Sequence, residues 1–200
     1  MHGELDPVQE VGCNVNAQQL FCLCPSLRFH GADCVVFSAF RSLTKRCCDR
    51  SLINFGIHDT WVHEHVPPKQ YGDNLERIFT MGKAGLAPGG KLIWSSTTPI
   101  SSNCTGCGDG TTTDHVVEYN AIALEAFNKV VGTTDGVVND LHAEVNEVCG
   151  VNFKVCPLQD YNNEHPSIPG AAFLGIKTAQ TIAPFLNPRR GFRGFRGLKC

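Results

Sequence analysis

Leu52-Ile53-Asn54-Phe55-Gly56-Ile57 is a short apolar run bounded by charged and turn residues, and its length and setting predict a buried β-strand. Downstream, Asp73 with Glu76 three residues on has the spacing of a capping box. Leu75, Ile78, Phe79, Met81 and Leu86 follow at helical intervals until Pro88-Gly89-Gly90. Lys91-Leu92-Ile93-Trp94-Ser95-Ser96-Thr97 reads as the next strand, closed by Thr98-Pro99. Val116, Tyr119, Ile122, Ala123, Ala126, Phe127 and Val130 keep a helical period, and Asp135-Gly136-Val137-Val138-Asn139-Asp140-Leu141 supplies a turn and a further strand. A last helix is apolar at Ala172, Phe173, Ile176, Ala179, Ile182 and Ala183. Strands that alternate with helices call for crossover connections. The expected fold class is therefore α/β, a three-layer α/β/α domain with a mostly parallel, flavodoxin-like sheet.

In such sheets ligands bind at the carboxyl ends of the strands. That puts Gly56-Ile57-His58-Asp59 and Thr97-Thr98-Pro99 on one edge of the molecule. The stretch Asn162-Asn163-Glu164-His165-Pro166-Ser167-Ile168-Pro169-Gly170 presents His165 on a loop just before the last helix, within reach of the same edge. A histidine there suits proton transfer, because its ordinary pKa of about 6.5 moves across neutrality with small changes of surroundings. His165 is the candidate general base, and the three segments are expected to form one cleft.

Composition narrows the classes. Two hundred residues, 42% hydrophobic and 18% charged, suit one globular domain with a core of its own. The net charge is −2, but Arg189, Arg190, Arg193, Arg196 and Lys199 gather at the end, leaving the rest at −7. An acidic body argues against a whole-domain nucleic-acid binder. The Arg-Gly-Phe ending can contact RNA by charge and stacking, yet reads first as a solvated, disordered terminus. No run approaches the roughly 18 apolar residues of a membrane span, and Met1-His2-Gly3-Glu4-Leu5-Asp6-Pro7 lacks the basic-then-apolar pattern of a secretory signal. The compartment stays open. Three parts are distinguished: an atypical segment over 1–50, a domain over 51–186, and a basic tail over 187–200.

Eleven cysteines leave at least one unpaired. Six of them, Cys13, Cys22, Cys24, Cys34, Cys47 and Cys48, crowd the opening quarter. Cys149 and Cys156 bracket a six-residue loop suited to a local disulfide. Cys104-Thr105-Gly106-Cys107 has C-x-x-C spacing in a Gly/Thr-rich loop, where a loop disulfide or thiols are expected ahead of zinc or redox chemistry. A different class of function is carried by His58-Asp59-Thr60-Trp61-Val62-His63-Glu64-His65, whose ligand types suit a transition metal. No second cluster completes that site, so a polar loop lining the cleft is expected, with no metal and no cofactor.

Taken in order, Asn54-Phe55-Gly56-Ile57-His58-Asp59, Tyr71-x-x-Asn74-Leu75, Leu92-Ile93-Trp94-Ser95-Ser96-Thr97-Thr98-Pro99, Gly136-Val137-Val138-Asn139-Asp140-Leu141 and His165-Pro166-x-x-Pro169-Gly170 with Leu174-Gly175 resemble the SGNH (GDSL-like) hydrolase superfamily. The likeness spans residues 50–186. It implies hydrolysis of a small-molecule or carbohydrate ester, acetylated sugars included, by a serine nucleophile, a histidine base and an oxyanion hole. His165 matches the histidine, and the loop of Gly56, His58 and Asp59 matches the block that supplies the oxyanion donor. Three departures stand out. His58 replaces the family's asparagine. Asn162 replaces the aspartate three residues before the histidine, with Asp160 or Glu164 as substitutes if the loop bends suitably. No Gly-Asp-Ser occurs, and Ser38 after Cys34-Val35-Val36-Phe37 lacks the small neighbours of a nucleophile turn. A catalytically inactive relative that binds an acyl or sugar ligand is the alternative.

Overall fold

The computed structural model describes residues 48–61, 65–107, 110–160 and 162–186, together with the backbone strand Gln19–Cys22. Ser38, the side chains of the six opening cysteines, His63, Glu64 and the basic tail lie outside the described residues. Four strands form one sheet in the order β1 (Gln19–Cys22), β2 (Cys48–Asn54), β3 (Leu86–Ser95), β4 (Gly136–Asn139). β2, β3 and β4 are parallel, and β1 runs antiparallel along the outer edge of β2. The α/β class expected from the sequence is the one observed.

The helices are α1 (Pro68–Ala84), α2 (Thr113–Val130), a single turn α3 (Gly132–Asp135), α4 (Leu141–Cys149) and α5 (Ile168–Ile182). None among the described residues is long and apolar enough to cross a membrane. Alternation along the strands sends Ile53, Leu92 and Trp94 to one face, where Leu75, Ile78 and Phe79 of α1 and Tyr119, Ala123 and Phe127 of α2 close over them. Phe79 meets Phe127 edge-on at 5.1 Å, a favoured aromatic geometry. The other face carries Ile93, Ser95 and Asn139, and α5 docks there through hydrogen bonds from Thr181 to Asn139 (3.0 Å) and from Asn139 to Thr178 (3.1 Å).

Several local expectations are corrected. α1 begins at Pro68, not at Asp73, because proline at the first position is pre-set for a helix start; Asp73 lies inside and pairs with Lys69. Pro88-Gly89-Gly90 does not end that helix but sits within β3. Cys48 pairs with Leu86 and Arg50 with Lys91, so these three residues, with Ala87, bulge from the ladder opposite Asp49. The apolar positions read for the last helix turn mostly outward: Ala172, Ile176, Ala179 and Ala183 are exposed, while Leu174, Thr178, Thr181 and Ile182 face inward. That helix is apolar nearly all round, so spacing alone did not single out its buried side. α2 begins at a capping box of Thr112 and His115, as the apolar period from Val116 required.

Between α1 and α2, the Tyr71 and Tyr119 rings meet at 4.7 Å, tilted by 40°, beside buried Asp59. Burial first, then the Asp59 charge and Tyr119, hold the Tyr71 phenol well above its ordinary value of 10.0. Burial, then Glu118 and Asp59, push Tyr119 up to about 12. Raised folded values mean stability that is complete below the unfolded phenol pKa and is lost as pH climbs through the folded one. The urea midpoint is expected to fall between pH 10 and 12, and to fall less in Tyr71→Phe, as read by far-UV circular dichroism.

Candidate functional site

The carboxyl ends of the parallel strands are level, with Asn54 opposite Ser95 and Ser95 opposite Asn139. Side chains stitch them together. Asn54 Nδ2 donates to the Ser95 and Ser96 carbonyls at 2.9 and 3.2 Å, and Asn139 Nδ2 donates to Ser95 Oγ at 2.8 Å. Asn120 of α2 clasps Thr97 by both main-chain groups at 2.8 Å. Asp140 caps α4 and accepts from Ser96 Oγ at 2.8 Å.

Beyond β2 the chain turns at Gly56, whose φ of +136° is open only to glycine. A Cβ there would come 2.6 Å from Thr97 Oγ1, which itself donates to the Phe55 carbonyl at 2.7 Å. This turn delivers His58 and Asp59 to a short 3-10 segment, His58–Thr60. His58 rests on the Trp61 ring at 4.0 Å, and the Asp59 carbonyl accepts from Val66 N–H at 3.0 Å. Asp59 itself is 1% exposed and points its influence at Tyr71 and Tyr119.

His165 stands on a tight turn ahead of α5. Gln159 and Pro166 bridge across it, Asp160 N–H donates to the His165 carbonyl at 3.0 Å, and Ser167 caps the helix through Gly170 N–H. The imidazole Nδ1 lies 2.5 Å from Asn163 Oδ1 and 3.7 Å from Glu164 Oε1. The His165 side chain is 60% exposed, that of Glu164 only 9%. Glu164 Oε2 is buried with no hydrogen-bond partner among the described residues.

These segments enclose a cleft of about 550 Å³ between the sheet and α5. Its polar rim is Asn54, His58, Thr97, Thr98, Glu164 and His165; Leu52, Ile57, Leu141, Leu174 and Ile182 form an apolar wall. Of the residues singled out from sequence, His165 and His58 meet on this cleft. Gly56 and Asp59 lie behind it, one shaping the turn and the other buried beside the tyrosines. Asn162 is turned away: its side chain is bonded to Thr105 and Gly106, and Asn163 is the amide that meets the imidazole. Spacing from the histidine pointed to Asn162, but its φ of +57° reverses the chain there. Asp160 is exposed, and Glu164 is the carboxylate that the bend brings to the ring.

Three of the other cleft hydroxyls are engaged, that of Thr98 on the rim not being among them. Thr97 donates to Phe55, while Ser95 and Thr178 accept from Asn139. Cys149–Cys156, expected as a local disulfide, and Cys104–Cys107, expected as a loop disulfide or thiols, are both disulfides. No group of three His, Cys, Asp or Glu side chains among the described residues is placed to hold a metal ion, His63 and Glu64 being outside them.

No family model matches this sequence, and no curated protein matches it. Among solved structures the chain is similar to LAE5, an alpha/beta hydrolase enzyme from the metagenome of Lake Arreo, Spain. The identity is 13% and the TM-score 0.53, over 74% of this chain and 69% of that one. At that identity the likeness is one of fold, a parallel sheet flanked by helices.

The Gly56 turn gives a direct test of how the cleft is built. Gly56→Ala is expected to cost about 1 to 3 kcal/mol, from its disallowed φ and the clash with Thr97. Thermal melting of Gly56→Ala beside Gly56→Ala/Thr97→Ala is expected to show recovery of the steric part only.

Proposed function

We propose that this protein hydrolyses a carboxylic ester in the cleft between the sheet and α5, in the manner of the SGNH hydrolases, with His165 as general base. One observation carries this: two imidazoles, His58 and His165, border one cleft at the level of three parallel strand ends, with an apolar wall beside them. His165 takes the proton of the attacking oxygen and returns it to the leaving alcohol. An N–H of His58, across the cleft, donates to the oxygen that becomes negative in the tetrahedral intermediate. Asn163 holds the ring through Nδ1, and the Glu164 carboxylate stands 3.7 Å from the same nitrogen. The apolar wall suits the acyl part, and the open rim a small alcohol or an acetylated sugar.

The second reading is a relative that binds such a ligand without turnover. It is favoured by the hydroxyls of Ser95, Thr97 and Thr178, which bond Asn139 and Phe55 rather than His165, so that Thr98 is the one other hydroxyl on the rim among the described residues.

Hydrolysis of p-nitrophenyl acetate and butyrate separates the two. His165→Ala is expected to lower kcat/KM by about 10²- to 10⁴-fold. Because the ring is well exposed, Glu164→Gln is expected to cost only about two- to fivefold, the size of a screened ion pair. A fluorophosphonate followed by mass spectrometry identifies the nucleophile. Absence of turnover and of any label, with the ester analogue still bound, would establish the second reading.

A further inference from the structure

Asn162 stands three residues before His165 and holds no contact with its ring. Its side-chain oxygen accepts three hydrogen bonds instead, from Thr105 N–H (2.6 Å), Thr105 Oγ1 (2.8 Å) and Gly106 N–H (3.1 Å). Those donors all belong to the two residues between Cys104 and Cys107, which a disulfide joins. The fit is close: a Cβ on Gly106 would come 2.3 Å from the Asn162 carbonyl oxygen. Asn162 also occupies the left-handed region, φ +57°, which asparagine tolerates but which needs its surroundings to hold it. Residues 163 and 164, the two that meet the imidazole, therefore hang between two fixed points. One is the seat of Asn162 in the disulfide loop, the other the hydrogen bond of Asp160 to the His165 carbonyl.

We propose that the Cys104–Cys107 loop is a redox-dependent clamp that positions His165, so that opening this disulfide loosens the base. The ring closed by the bond points the Thr105 and Gly106 amides the same way, forming a small concave nest for one oxygen. Cys104 is partly exposed, whereas Cys107 is 4% exposed, so a reducing thiolate meets Cys104 first. A thiolate of a dithiol reductant attacks Cys104 Sγ and forms a mixed disulfide; Cys107 leaves as thiolate and takes a proton. The second thiol of the reductant, as its thiolate, then attacks the mixed disulfide. Cys104 is released and protonated, and the reductant ends as a disulfide, two electrons having passed to the protein. The nest then has no covalent constraint, Asn162 loses its seat, and the turn bearing Asn163, Glu164 and His165 gains freedom. Only the consequence for turnover rests on the esterase reading; the clamp itself does not.

The test records the His165 imidazole signal by NMR, and p-nitrophenyl butyrate hydrolysis, in the full chain before and after dithiothreitol, with a thiol count. Reduction is expected to shift or split the His165 signal and to lower kcat/KM about tenfold or more, the usual result of displacing a catalytic group. Cys104→Ser/Cys107→Ser is expected to begin in that state and to respond no further at His165. Gly106→Ala is expected to reproduce it with the disulfide intact, circular dichroism showing an unchanged fold. Should no form hydrolyse ester, the esterase reading fails and the His165 signal alone decides the clamp. An unchanged His165 signal after verified opening of Cys104–Cys107, or a dithiothreitol response at His165 that persists in Cys104→Ser/Cys107→Ser, would overturn it.

Discussion

Everything at the site depends on the level alignment of three strand ends, Asn54, Ser95 and Asn139, held by buried side-chain hydrogen bonds. Asn139 is the centre of this arrangement. It donates to Ser95 and Thr178, accepts from Thr181, and its carbonyl accepts from Ser96 N–H at 3.1 Å. A buried amide with its bonds made contributes modestly, but leaving its partners unsatisfied costs about 1 to 3 kcal/mol each. The same side chain therefore fixes the height of β4, the end of β3 and the angle of α5. Thr98 and His165 reach one cleft because the elements that carry them share that anchor, and Asn54, bonded to the Ser95 and Ser96 carbonyls, sets β2 and so His58 level with them.

The alignment also explains the division of labour between the two sheet faces. The face under α1 and α2 is packed with aromatic and aliphatic side chains. The opposite face is covered less completely, with polar groups at Asn54, Ser95 and Asn139 among apolar ones, and the cleft opens there. A fold shared with an alpha/beta hydrolase at 13% identity sets this frame without setting the chemistry, which the proposed function assigns to the imidazoles and their neighbours.

Much of this was legible in the sequence. The alternation of apolar runs and helical periods gave the α/β class, and the rule that ligands sit at strand ends puts His58 and His165 on one edge. What escaped followed from tertiary context. Pro88-Gly89-Gly90 looked like a stop but is a bulge inside β3, a role that depends on pairing with β2. The buried side of α5 is marked by threonines that bond Asn139, a signal no apolar count contains. The exchange of Asn162 for Asn163 beside His165 follows from one left-handed residue, and from a disulfide loop more than fifty positions away that captures the first amide. A helical loop, which puts residues three apart on one face, would have given the opposite assignment.

The most direct measurement is a histidine ring NMR titration with butylphosphonate, a tetrahedral anion shaped like the intermediate of ester hydrolysis. The His58 and His165 signals are predicted to move together on one saturating curve, while that of His115, at the start of α2, stays in place. Different midpoints for His58 and His165, or movement of only one, would contradict a single site spanning the strand ends.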